Sequence, residues 1–283
     1  MHMSVEPGLI REMEEVARKA TLKAGKLIAG RLGKVPLSSV QNKGPSDYVT
    51  EVDKEAEALI LDSVSRSFPG HRLVSEEANL ARIGNGIQWI IDPLDGTTNF
   101  IHGFPFVAVS VAVYEGLQPL LGFVLDPLRE ELFHAVRGGG AFLNGSPLRV
   151  RERFTVEQAL IATGFPFRMK RILDPYLAAF SSILRQVSGI RRAGSAALDL
   201  AYVAAGRVDG FWEAGLAPWD VAAGSLLVLE AGGRVDDFWG EGAYLLNGHI
   251  VAGTPLVHPF LRERIGEHLA PALKTGEQGG KTV

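Results

Sequence analysis

No cysteine occurs among the 283 residues of this chain. That absence excludes disulfides, thiol nucleophiles and cysteine-bound zinc, and leaves oxygen and histidine as the donors for any metal. An excess of one charge is missing too: 29 Lys and Arg stand against 32 Asp and Glu, a formal net charge of −3. Such a balance gives no broad electrostatic hold on nucleic acid or on an anionic membrane, so neither is expected as a partner. Long apolar runs are also lacking. The uncharged stretch from Gly96 to Tyr114 contains Asn99, His102, Gly103 and Pro105 and then alternates like a strand, which excludes a membrane span there. Near the N-terminus, Glu6, Arg11, Glu12, Glu14 and Glu15 stand where a signal peptide would carry its apolar core, and a cytoplasmic location is expected. Neither an internal repeat nor a linker between independent domains is present.

What is there reads as alternating helices and strands. Ile10, Met13, Ala17, Ala20, Ala24 and Leu27 recur at spacings of 3 and 4 with charges between them, predicting an amphipathic helix. Residues 36–46 are rich in Pro, Ser and Gly and predict a mobile loop. Thr50 is an N-cap for a second helix that reaches Phe68, ahead of Pro69-Gly70. Short strands are expected at 72–74 and 89–91. Val107, Val109, Val111 and Val113 then alternate with smaller residues and open an antiparallel meander, with turns at Gly138-Gly139-Gly140 and Asn144-Gly145. Helices at 173–187, 196–205 and 221–231, and a last one from Pro255 to about 269, interleave with strands at 210–213, 234–236 and 250–252. The predicted class is α/β or α+β, helices layered against two sheets. One domain is expected over 1–270, in halves of about 1–150 and 151–270, with a flexible tail at 271–283.

The most informative segment is Asp92-Pro93-Leu94-Asp95-Gly96-Thr97-Thr98. The apolar run before it predicts that Asp92 ends a buried strand, and Pro93 favours an extended residue ahead of it. Gly96 permits unusual backbone angles and close approach of a ligand. Two carboxylates three residues apart supply oxygens for a hard cation such as Mg²⁺, and the N–H groups of a turn entering a helix seat a phosphate. Alone, D-P-x-D-G is more often a turn than a metal site. Other acids recur at separate places. Glu76-Glu77 follows a strand end, where open sheets keep their sites; a solvated pair is the bland alternative. Asp220, in Trp219-Asp220-Val221-Ala222-Ala223-Gly224, suits a helix cap or a metal ligand equally. Asp47 lies in a polar loop. Glu213 is a lone acid in the aromatic Phe211-Trp212-Glu213 strand, and burial would demand a partner, a ligand or solvent.

These segments together resemble the inositol monophosphatase family of Mg²⁺-dependent, lithium-sensitive phosphatases. The resemblance rests on residues 89–100 and 219–224, with Ser75-Glu76-Glu77 and residues 46–53 at the matching places. It runs from about residue 10 to 268, and the segment from Arg192 to Leu200 looks like the bacterial branch. Leu94, where many members carry isoleucine, keeps the backbone carbonyl that matters. The resemblance implies a five-layered αβαβα sandwich, usually a homodimer. It implies two to three Mg²⁺ ions: Glu76, Asp92 and the Leu94 carbonyl on the first, Asp92, Asp95 and Asp220 on the second, and Glu76 with waters on a weaker third. Thr97, hydrogen-bonded to Asp47, would orient the attacking water, with Glu76 also in a catalytic role. The N–H groups of Gly96 and Thr97 would hold the phosphate. Asp95, Gly194, Ser195, Ala196, Glu213 and Asp220 would touch a small phosphorylated polyol.

The expected reaction is hydrolysis of a phosphate monoester, myo-inositol 1-phosphate first, by direct attack of metal-activated water without a phosphoenzyme. Fructose 1,6-bisphosphate and 3′-phosphoadenosine 5′-phosphate are the alternatives within the superfamily, and a non-catalytic binding protein on the same fold is the alternative of another class. A P-loop reading of residues 276–282 fails because the spacing is one residue short.

Overall fold

The computed structural model describes residues 5–34, 36, 40–44, 47–78, 83–151 and 155–277. Its elements run α1 (Pro7–Arg31), β1 (Gln41–Gly44), β2 (Asp47–Val49), α2 (Glu51–Ser67), β3 (Arg72–Ser75), β4 (Ile87–Asp95), α3 (Thr97–Ile101) and β5 (Ala108–Glu115). The meander continues with β6 (Gln118–Asp126), β7 (Glu131–Val136), β8 (Gly140–Leu143) and β9 (Ser146–Pro147). The second half holds β10 (Leu160–Thr163), α4 (Leu173–Leu184), β11 (Gly189–Arg191), α5 (Ala196–Ala204), β12 (Gly210–Ala214) and α6 (Pro218–Glu230). It ends with β13 (Arg234–Asp236), α7 (Tyr244–Asn247), β14 (His249–Gly253), α8 (Val257–His268) and α9 (Ala270–Glu277).

Five layers result. α1 and α2 cover one face of a seven-stranded sheet ordered β3-β4-β5-β6-β7-β8-β9. α5 and α6 lie between its other face and a five-stranded sheet ordered β11-β10-β12-β14-β13. α4 and α8 cover the outside of the second sheet. Both sheets are mixed: β3 runs parallel to β4, and β10 runs parallel to β11 and β12.

Residue size follows this layering. Val109, Val111 and Val113 of β5 join Ile10, Met13 and Ile28 of α1 in the outer core. Ala108 and Ala112 face inward with the alanines of α5 and α6, because a helix enclosed between two sheets needs small residues all round. The approach is close enough that a Cβ on Gly122 of β6 would lie 2.7 Å from the Ala223 carbonyl of α6.

Three expectations change. The 36–46 loop contains a strand, since β1 pairs antiparallel with β2. The last helix breaks near Leu269, and the expected flexible tail opens as α9 with Leu273 buried. Its apolar side chain gives the segment a core contact that composition hid; residues 278–283, with the Gly-Lys-Thr, lie outside the described residues. Third, β4 does not stop at Asp92 but continues to Asp95. Asp92 pairs with Ser110 and Asp95 with Ala108, so β4 carries one extra residue there, a bulge that absorbs the missing N–H of Pro93. Among the described residues no helix is long and apolar enough to cross a membrane.

Candidate metal and phosphate site

The bulge in β4 decides where the acids point. Residues three apart on a regular strand face opposite sides of the sheet. The extra residue restores the phase, so Asp92 and Asp95 both face the α5/α6 layer while Leu94 turns into the outer core. Asp92 Oδ1 accepts from the Leu94 N–H at 3.0 Å, which fixes the carboxylate within its own turn. On β5, Ser110 stands opposite Asp92, and its hydroxyl donates to the Trp219 carbonyl at 3.2 Å. That bond ties the start of α6 to the acidic end of β4. Asp220 follows, its Oδ2 accepting from the Ala217 N–H at 2.7 Å. Asp220 therefore caps α6 and also faces the cluster.

One carboxylate oxygen each from Asp92, Asp95 and Asp220 lies within 4.8 Å of the others. Together with Glu76 they line a cavity of about 390 Å³. Burial, with Glu76, Asp95 and Asp220 crowding in, holds the Asp92 carboxyl well above the ordinary range. Asp95 is pushed up to about 6, chiefly by loss of hydration; hydrogen bonds from Ser195 and Ala197 and the nearby Arg192 cation oppose this, and Glu76 adds to it. Carboxylates crowded at the cost of their own ionisation form a site that a hard cation would relieve.

Gly96 turns the chain from β4 into α3 at φ 92°, and a Cβ there would lie 3.0 Å from the Phe106 carbonyl. Only glycine fits. The first N–H groups of a helix have no partner within it, and Gly96, Thr97 and Thr98 line the cavity there. Thr97 Oγ1 lies 2.9 Å from Asp53 Oδ1 and 3.0 Å from the Leu94 carbonyl. Among the described residues the carboxylate partner of Thr97 is Asp53; the side chain of the expected partner, Asp47, lies outside the described residues. The reason is the capping geometry of α2: Asp53 Oδ2 accepts from the N–H (2.9 Å) and hydroxyl (2.6 Å) of Thr50, leaving Oδ1 for Thr97. Burial raises the Asp53 carboxyl against those bonds.

Glu213, Gly194 and Ala196 reach the cavity from the second half. Of the expected turn at 194–196, Ser195 is the one residue that does not line the cavity. Its hydroxyl donates to Asp95 Oδ2 at 2.6 Å, beside the Ala197 N–H at 2.8 Å, and it is buried as the N-cap of α5. Sequence reasoning missed Asp53, Arg192 and Asp199. Arg192 lines the cavity with its guanidinium over Phe165 and Phe167, 5.6 and 5.0 Å from the ring centres. Asp199 is buried in α5, where desolvation and then Glu213 and Asp95 hold its carboxyl high. A lone acid in the apolar run Ala196–Ala204 was the available signal for Asp199, and for Arg192 the signal was its place at the head of the 192–200 segment that carries the resemblance.

The family model described as "Inositol monophosphatase family" matches residues 9–275. The protein "Nus factor SuhB" of Pseudomonas aeruginosa is 50% identical over 272 residues, covering 94% of this chain and 100% of that protein. Among solved structures, "extragenic suppressor protein suhB from Bartonella henselae" is 40% identical with a TM-score of 0.85, over 91% of this chain and 100% of that one. "Inositol monophosphatase from Anabaena (Nostoc)" is 36% identical with a TM-score of 0.82, over 92% and 98%.

Proposed function

The chain belongs to the inositol monophosphatase family, and from that membership and its acidic cavity we propose that it is a Mg²⁺-dependent phosphatase of small phosphorylated polyols, with myo-inositol 1-phosphate as substrate. The observation that carries the reading is the convergence of Asp92, Asp95 and Asp220 within 4.8 Å. The donor set fits magnesium, since it consists of carboxylates and, at Leu94, a main-chain carbonyl. Glu76, Asp92, Leu94, Asp95 and Asp220 would hold the ions. When bound, they would make water a nucleophile at neutral pH and stabilise charge on the departing oxygen.

The chain's own residues supply the rest. Thr97 Oγ1 spends its proton on Asp53 or the Leu94 carbonyl, leaving lone pairs to accept from an attacking water. The N–H groups at the start of α3 receive phosphate oxygens. Glu213, across the cavity, accepts hydroxyl protons of the polyol, and Gly194 and Ala196 leave room for its ring. A homodimer and lithium sensitivity belong to the same reading; α4 exposes Leu173, Leu177 and Leu184, a row suited to a second copy.

The test is phosphate release from inositol 1-phosphate, fructose 1,6-bisphosphate, 3′-phosphoadenosine 5′-phosphate and glycerol 2-phosphate, with Mg²⁺ and with chelator. Mg²⁺-dependent release favouring inositol 1-phosphate is expected. Preference for the bisphosphate would overturn the substrate and leave the metal site standing, whereas no release from any ester would overturn the enzyme.

The name Nus factor, carried by a relative 50% identical to this chain, favours a second reading as a binding protein in transcription. The expectation of no nucleic-acid partner rested on a net charge of −3 and draws no support from that name. Net charge constrains direct attraction to phosphates but not entry through protein contacts. The two roles are compatible on different surfaces.

A further inference from the structure

Glu57 is a buried acid that the reaction outlined above does not use. It lies one turn after Asp53 on the same face of α2. While Asp53 reaches Thr97, Glu57 reaches the chain just beyond β3: its Oε1 accepts from the Glu77 N–H at 2.9 Å and the Ala78 N–H at 3.2 Å. Those two amides immediately follow Glu76, which lines the cavity and raises both Asp92 and Asp95. Glu76 itself lies outside any strand, so no sheet ladder fixes it.

We propose that Glu57 is a positioning residue for magnesium: by holding the main chain after Glu76, it presents that carboxylate to the cavity and so sets the affinity of the metal site. A carboxylate receiving two main-chain N–H groups forms strong, directional bonds. Without it the two amides turn to water and the Glu76 segment samples other positions. Ordering must then be paid for at each binding event, and affinity falls. Through Asp53 and Glu57, α2 braces both segments that meet at the cavity, the Thr97 turn and the Glu76 turn. The inference rests on the metal reading above.

Calorimetric titration of metal-free protein with Mg²⁺, without substrate, tests it. Folding of every variant is checked first by near-UV circular dichroism. Glu57→Ala is expected to weaken Mg²⁺ binding by about 10-fold, the lower end of the effect of residues that orient a metal ligand. Glu57→Gln keeps an acceptor at the same place and is expected to bind nearly as wild type. In a Glu76→Gln background, adding Glu57→Ala should cost nothing further, because the ligand it positions is already lost. Wild-type affinity in folded Glu57→Ala overturns the proposal. An equal loss in Glu57→Gln overturns it too, by assigning the effect to charge, as does a full additional loss in the Glu76→Gln background. Should Glu57→Ala not fold, Glu57→Asp withdraws the acceptor by one methylene, and wild-type affinity there is equally fatal. Wild-type protein that takes up no Mg²⁺ sinks the metal reading, and this inference with it.

Discussion

The two sheets contribute to the cavity in different ways. The seven-stranded sheet delivers Asp92, Leu94, Asp95, Gly96 and Thr97 from one bulged strand end, neighbours in sequence and in space. The five-stranded side delivers single residues from separate elements, with Glu213 from β12 and Gly194 and Ala196 at the start of α5. Asp220 joins the two, carried by α6 between the sheets. The first arrangement concentrates charge and fixes it through the backbone. The second surrounds that charge with spaced, individually replaceable contacts. Under the proposed function, the strand end would carry the chemistry and the far wall would select the substrate.

The hardest test of that division is loss of a carboxylate from the charged cluster. Asp95→Asn and Asp220→Asn should each fold and lose more than about 100-fold in kcat, exceeding the 10- to 100-fold typical of residues that only orient a ligand. Thermal melting of the same samples separates this from a structural role; unfolding of both would assign those acids to the core. On the opposite wall, Glu213→Gln should raise KM for the polyol phosphate about tenfold with kcat nearly kept, the scale of one hydrogen bond to a charged group. A kcat loss matching that of Asp95→Asn would erase the distinction between the walls.

The smallest effect concerns pH. The Asp95 carboxyl stands at about 6 in the folded chain against an ordinary 3.8. The folded state therefore holds the proton more tightly than the unfolded chain. Its stabilising contribution is complete below the unfolded value and is lost as pH rises through about 6. In chelator, Asp95→Asn escapes that loss and should gain over wild type by roughly 2–4 °C in Tm for each kcal/mol as pH rises from about 4 to 6. His134 and His258, both lowered to about 4 by burial, pull stability the other way in both proteins and cancel in the difference. Mg²⁺ should reverse the order at neutral pH, because wild type alone keeps the full ligand set. A pH-independent difference in chelator would show that Asp95 carries no excess charge cost.

The amino-acid order by itself settled the helices and the meander, because periodicities of 3.6 and 2 and turn residues such as Asn144-Gly145 act over a few neighbours. It also settled the acids of the 92–98 segment, which share one turn. It did not settle the strand end at Asp92, since a bulge is defined by the pairing of β4 with β5. Nor did it settle the fate of Ser195, spent on Asp95 a hundred residues away. The contact of Asp53 with Thr97 and the place of Arg192 over two phenylalanines arose only when α2 docked on the first sheet and α5 between the two. Local pattern encodes which residues can bear charge and which must be buried. Which of the charged ones meet is a property of the packed layers, where alanine and glycine let α6 come close enough to bring Asp220 beside Asp92.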